Sequence, residues 1–138
     1  MSLKLSLRPH ERIIISGAVL QNVGSPSVIT IENNVPVLRQ KNIMNEADAV
    51  SPCRRIYFVI QLMYVDGQDQ EKYNKIYWDL VRDLVEAAPS LLRIIDQISE
   101  HIFKTEYYQA LKLARELINY EEEAIGCVQE CVGNLSGS

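Results

Sequence analysis

Apolar and polar residues alternate at the start of the chain, with Leu3, Leu5 and Leu7 separated by Lys4 and Ser6, the period-2 pattern of a half-buried strand. Arg8-Pro9-His10-Glu11 interrupts it as a turn, because proline fixes φ and offers no amide to a ladder. A second run begins at Ile13 and Ile15 and breaks at Gly17. Segments 18–23 and 28–32 flank Gly24-Ser25-Pro26-Ser27 and predict a hairpin. Asn33-Asn34 marks a further turn, and 37–41 form a last short strand. Five such segments predict a small antiparallel barrel or sandwich. A lone hairpin is marginal in water, so the piece must close or pack on a partner.

The period changes near Ser51. Residues 45–50 are a polar connector, then Ser51-Pro52 opens a helix with a good N-cap and a proline at the first helical position. Ile56, Val59, Ile60 and Met63 form its apolar stripe, and Asp66-Gly67 ends it. A second helix over 70–88 is expected to bury Ile76, Leu80, Leu84 and Val85, and Pro89 punctuates it. A third uses Leu91, Ile94, Ile95, Ile98 and Ile102. Thr105 is placed as the cap of a fourth, with Tyr108, Leu111, Ala114, Leu117 and Ile118 inward. Short connections imply antiparallel neighbours. The expected class is α+β: a small N-terminal antiparallel β module followed by a helical hairpin or bundle of about four helices. The expected divisions are a basic β module at 1–44, an acidic helical part at 45–132 and a disordered tail at 133–138.

Charge sharpens that division. Residues 1–44 carry Lys4, Arg8, Arg12, Arg39 and Lys41 against Glu11 and Glu32, a net of +3, whereas the whole chain is −4, leaving −7 on the remainder. An anionic partner would meet the first part and be repelled by the second. No apolar run approaches the roughly 20 residues that span a bilayer, and 1–7 lack a signal-peptide core, so a cytoplasmic protein is expected. Three cysteines fit no disulfide or zinc spacing; Cys127 and Cys131 fall on one helical face, and all three read as apolar fillers.

Catalytic chemistry is thinly represented. Only His10 and His101 are available, and no phosphate-cradling glycine loop, GxSxG or HExxH occurs. Glu121-Glu122-Glu123 and the pair Asp79 and Asp83 beside Arg82 read as solvated helix surface. A non-enzyme without cofactor or metal is expected. The basic residues of the β module remain: Arg8, Arg12, Arg39 and Lys41 lie beside turns or at strand ends, where they can reach phosphates, with Lys4 on the first strand. Arg54 and Arg55 sit in the first turn of a helix, where cations are unfavourable by about 0.3–1 kcal/mol each. Either a separate anionic surface meets them or they pair with Glu46 or Asp48.

Five collinear blocks carry a resemblance. They are Leu7-Arg8-Pro9-His10-Glu11-Arg12-Ile13-Ile14-Ile15-Ser16-Gly17-Ala18-Val19; Pro36 to Ile43; Arg55-Ile56-Tyr57 with Gln61-Leu62-Met63-Tyr64; Leu80-Val81 with Ala87-Ala88-Pro89-Ser90; and Ala110-Leu111-Lys112 through Tyr120-Glu121. Over about 3–124 the chain resembles the FlbT family, flagellin regulators of alphaproteobacteria. The extension from about Ile125 departs from the shorter family pattern. A second, shorter similarity links Arg8, Glu11 to Gly17 and Val37-Leu38-Arg39 to the carbon storage regulator family of small RNA-binding β proteins, with different spacing between the blocks.

The FlbT resemblance implies post-transcriptional control: association with the 5′ untranslated region of flagellin mRNA and promotion of its degradation, alongside a FlaF-like flagellar partner. It transfers no RNA-contact residues, so Arg8, Arg12, Arg39, Lys41 and Lys4 are proposed contacts from charge and placement. Arg54 and Arg55 offer a secondary anionic contact, with pairing to Glu46 or Asp48 as the alternative. The rival expectation is a protein-binding adaptor whose helices dock a FlaF-like partner or flagellin and affect mRNA indirectly. No membrane contact is expected, and self-association into a homo-oligomer stays open.

Overall fold

A computed structural model of the chain describes residues 2–136, with side chains described through Ala124. Five short strands come first: β1 (Leu3–Leu7), β2 (Arg12–Ile15), β3 (Ala18–Gln21), β4 (Ser27–Ile31) and β5 (Val37–Arg39). Two 3-10 turns, Gln40–Asn42 and Glu46–Asp48, lead to helices α1 (Pro52–Val65), α2 (Gln70–Ala87), α3 (Leu92–Phe103) and α4 (Tyr107–Ser136). The α+β class therefore holds. Among the described residues the strands form no closed barrel; they make two small antiparallel sheets, β1-β4 and β3-β2-β5.

The hairpin expected across Gly24-Ser25-Pro26-Ser27 is corrected. β3 pairs with β2 and β4 with β1, so the strands flanking that loop lie in different sheets. The reason is a stronger turn upstream. Ser16 and Gly17 both take positive φ, 50° and 88°, and Ile15 faces Ala18 across them. This is the two-residue primed turn whose twist suits a hairpin.

Alternation along β2 then builds three layers. Ile13 is fully buried in a small cluster with Leu5 and Leu7, against which Ile29, Ile31 and Val37 pack, so this cluster fills the space between the sheets. Ile14 points the other way into the helical core, together with Leu38 and Met44. The β3-β2-β5 sheet is thus sandwiched between β1-β4 and the helices. Two polar side chains of α1 lock the connection. Buried Gln61 accepts from the Met44 amide at 2.8 Å and donates to the Met44 carbonyl at 2.9 Å. The Tyr64 hydroxyl accepts from the Val37 amide at 3.2 Å and donates to its carbonyl at 3.1 Å.

The helices form where the spacing places them: α1 packs on α2 and α4, and α3 on α4. Ser51 caps α1, its hydroxyl accepting from the Arg54 amide at 3.3 Å, with Pro52 at the first position. On α2 the buried face is rotated by one residue from expectation: Tyr77, Val81 and Leu84 are buried, Leu80 and Val85 partly so, and Ile76 is exposed. The Tyr77 hydroxyl meets Ser99 Oγ on α3 at 2.7 Å, which lets a polar-tipped ring occupy the core position. On α4 the inward positions include Ala110, Leu111, Ala114, Leu117 and Ile118, but Tyr108 is 39% exposed.

Thr105 ends α3 instead of starting α4. It takes φ 58°, its amide donates to the Ile102 carbonyl at 3.0 Å, and the Glu106 amide donates to the His101 carbonyl at 2.8 Å. These are the two bonds of a Schellman motif. Glu106 is the N-cap of α4, its carbonyl accepting from Ala110. The fourth helix runs to Ser136, through Gly133 where a tail was expected. It holds no proline, and isolated glycines in a helix cost only about 1 kcal/mol each. Gly137 and Ser138 fall outside the described residues, as do the side chains of Cys127 and Cys131.

Candidate nucleic-acid interface

The turn after β1 organises the basic residues. Proline at its second position and a positive φ of 63° at His10, its third, are the pattern of a type II turn, closed by the Glu11 amide on the Arg8 carbonyl at 3.1 Å. Asn22, just after β3, latches it, its Nδ2 donating to the Leu7 and Arg8 carbonyls at 3.3 and 3.2 Å. The turn swings the Glu11 carboxylate inward, where Glu11 is only 7% exposed.

Glu11 then gathers two arginines. Its Oε1 accepts from the Arg8 amide at 2.9 Å, with Arg8 Nε at 3.9 Å. Its Oε2 accepts from Arg39 Nη2 at 3.1 Å, and the same nitrogen donates to the Ser6 carbonyl at 2.6 Å. The backbone hydrogen bond from Arg8 holds the Glu11 carboxyl below its ordinary value of 4.5; burial opposes this, and the Arg39 guanidinium adds to the lowering. A buried carboxylate therefore fixes Arg39 in place while using part of its five-donor fork, and the Arg8 side chain remains 89% exposed.

Arg8, His10, Glu11, Arg39, Gln40 and Lys41 line one open hollow of about 630 Å³. Three cations face a single carboxylate there, an arrangement suited to a phosphate-bearing chain. Arg12 stands beside it: His10 and Gln40 line both this hollow and the neighbouring one that contains Arg12, and Gln40 Oε1 accepts from the Arg12 amide at 2.7 Å. Lys4 is exposed on β1 opposite Thr30 and lines neither hollow.

Arg54 and Arg55 are not brought to this cluster. Arg54 pairs with Glu122 of α4 at 2.9 Å, so the expected partners Glu46 and Asp48 are corrected. Arg55 is exposed. Glu121 lies at the N-terminus of α1, where its carboxylate accepts from the Ser51 hydroxyl and from the Cys53 amide at 3.3 Å. Two glutamates read as solvated surface thus answer Arg54 and the helix dipole. Burial, with Glu121 nearby, pushes the Cys53 thiol up to about 12, which leaves it unreactive at neutral pH. Among the described residues no group of three or more His, Cys, Asp or Glu could hold a metal ion, and no helix is long and apolar enough to cross a membrane.

The family model of flagellar protein FlbT matches residues 3–125. The chain belongs to the FlbT family. The match spans β1 through most of the described α4, including every residue of the Glu11 cluster. A relative from Bradyrhizobium diazoefficiens, named probable flagellum biosynthesis repressor protein FlbT 1, is 41% identical over 91% of this chain and 86% of its own. The flagellum biosynthesis repressor protein FlbT of Caulobacter vibrioides is 38% identical over 96% of this chain and 95% of its own. The family model ends at residue 125, where the C-terminal extension begins, while the Caulobacter vibrioides alignment continues past it. No solved structure matches the chain significantly.

Proposed function

We propose that this FlbT-family chain is a post-transcriptional regulator that associates with the 5′ untranslated region of flagellin mRNA and promotes its degradation, so repressing flagellin synthesis. The observation that carries the reading is the convergence of Arg8, Arg39 and Lys41 in one hollow of the β module, ordered around a buried glutamate. Relatives named as flagellum biosynthesis repressors support the direction of regulation. The chain acts as a binder, not a nuclease, and leaves cleavage to other enzymes. Decay of flagellin mRNA after transcription is blocked tests it in cells. The half-life should lengthen when the gene is deleted and shorten again with the wild-type chain, but not with an Arg8→Ala/Lys41→Ala chain. Equal half-lives in all strains would overturn the reading.

A specific observation favours a second activity of the same chain, docking of a FlaF-like protein. Phe103, Trp78 and Leu92 on α2 and α3 are 89%, 53% and 45% exposed. Docking would remove the apolar surface of these three side chains from water, at about 25 cal/mol per Å² buried. Fluorescence of Trp78, the single tryptophan, should change on titration with the FlaF-like protein; no change, with no co-migration in gel filtration, would remove this second reading.

A further inference from the structure

The basic hollow does not stop at Lys41. Lys41 also lines a second hollow of about 220 Å³, together with Asn42 and with Tyr57, Tyr108, Lys112 and Arg115 from α1 and α4. Tyr108, Lys112 and Arg115 are four and three residues apart, which puts them on one face of α4. Lys112 Nζ lies 4.9 Å from the centre of the Tyr108 ring, and the Arg115 guanidinium lies 4.9 Å from that of Tyr57.

The two rings differ in what they can offer. Tyr57 is buried and its hydroxyl donates to the Asn42 carbonyl at 2.7 Å, so it serves as a floor that orients Arg115. Tyr108 is partly open, tilted against Tyr64 with ring centres 6.0 Å apart, and Lys112 lies over its ring, so a base would stack there as the ammonium swings aside to a phosphate. Among the described residues no carboxylate engages Lys112 or Arg115. Glu116, the nearest acid along α4, lines a different hollow with Tyr120. Joined at Lys41, the two hollows present Arg8, Arg39, Lys41, Lys112 and Arg115 against one carboxylate, Glu11.

We propose that this strip is a binding track for single-stranded RNA, with the backbone following Lys41, Lys112 and Arg115 and an unstacked base lying on Tyr108. The proposal rests on the RNA-binding reading above and extends its site from the β module onto α4, in the part of the chain whose net charge is negative. Cations interleaved with an open aromatic ring match a single strand, which offers a charged backbone and free base faces together. A duplex keeps its bases stacked inside and gains nothing from Tyr108.

The test is fluorescence anisotropy with the full chain, using end-labelled flagellin leader RNA as a single strand and the same RNA annealed to its complement. Tyr108→Leu keeps apolar bulk against Tyr64, and Lys112→Gln changes an exposed residue, so both should keep the wild-type melting temperature. Tyr108→Leu should weaken single-strand binding by roughly 5- to 150-fold, the range of one lost base stack, and leave duplex binding unchanged. Lys112→Gln should lower the salt slope of single-strand binding by about 0.7, the contribution of one phosphate contact. Wild-type affinity and slope in both variants, with binding still lost on Arg8→Ala/Lys41→Ala, would confine the RNA to the β module and overturn the track alone. A wild-type chain that binds no leader RNA would overturn the RNA-binding reading itself.

Discussion

Removing the Glu121 carboxylate should loosen the junction between the first and last helices. Its Oε2 accepts from the Cys53 amide, a first-turn donor on a residue that is only 1% exposed. Its Oε1 accepts from the hydroxyl of Ser51, whose oxygen in turn accepts from the Arg54 amide. In Glu121→Ala the Cys53 amide is left buried without a partner, at a cost of about 1–3 kcal/mol. The lost anion at the helix N-terminus adds about 0.3–1 kcal/mol. Ser51 keeps its own cap, and the half-exposed Arg54–Glu122 pair stays, worth about 0–1 kcal/mol. The net loss is therefore about 1.3–4 kcal/mol, or roughly 4–16 °C in Tm for a chain of this size. Glu121→Gln keeps an acceptor and loses only the charge, so it should fall by about 1–4 °C. Thermal unfolding followed by far-UV circular dichroism measures both, with Glu123→Ala, an exposed neighbour, as control. A Glu121→Ala loss no larger than that of Glu123→Ala would refute the capping role.

Other consequences follow from single residues. Glu11 has a lowered folded pKa, so its contribution to stability is present above its ordinary 4.5 and is lost as pH falls through the lowered value. Urea midpoints should therefore drop below pH 4.5 in the wild type and drop less in Glu11→Gln; parallel curves would count against the buried pairing. Gly17 has φ 88° and a Cβ there would lie 3.0 Å from the Val65 carbonyl oxygen, so Gly17→Ala should cost about 1–2 kcal/mol or more by urea titration. Thr105 occupies the left-handed Schellman position with φ 58°, so Thr105→Gly should raise stability by about 0.5–1 kcal/mol. A neutral or destabilising Thr105→Gly would mean that its hydroxyl bond to the Lys104 carbonyl outweighs the backbone relief.

The strands and helices were legible because their periods differ: Leu5 and Leu7 alternate, whereas Ile56, Val59, Ile60 and Met63 recur at helical spacing. Strand pairing was not. Ser16-Gly17 reads as a mere break until both residues are seen at positive φ, and only then does β3 belong to β2. The α2 face slipped by one position because apolarity favours Ile76, while the Ser99 hydroxyl that admits Tyr77 comes from another helix. Charge placed Arg8, Arg39 and Lys41 in one module, but their convergence depends on Glu11 turning inward, which a count of charges scores only as −1. The partner of Arg54 lies 68 residues along the chain, beyond the reach of local spacing. Arg39, whose placement at a strand end suits a phosphate contact, also ties β5 to Ser6 and Glu11, so its loss should disturb stability as well as binding.

Arg8 and Lys41 are therefore the cleaner probes of the central claim, being exposed and lining the same hollow. The decisive measurement is the affinity of purified protein for single-stranded flagellin leader RNA, titrated at several salt concentrations, for the wild type and the Arg8→Ala/Lys41→Ala chain. The account predicts salt-dependent wild-type binding and a slope lower by about 1.4 in the double variant, from two lost phosphate contacts at about 0.7 each. Tm should be unchanged. Identical affinity and slope in a folded double variant, or no binding by the wild type, would contradict it.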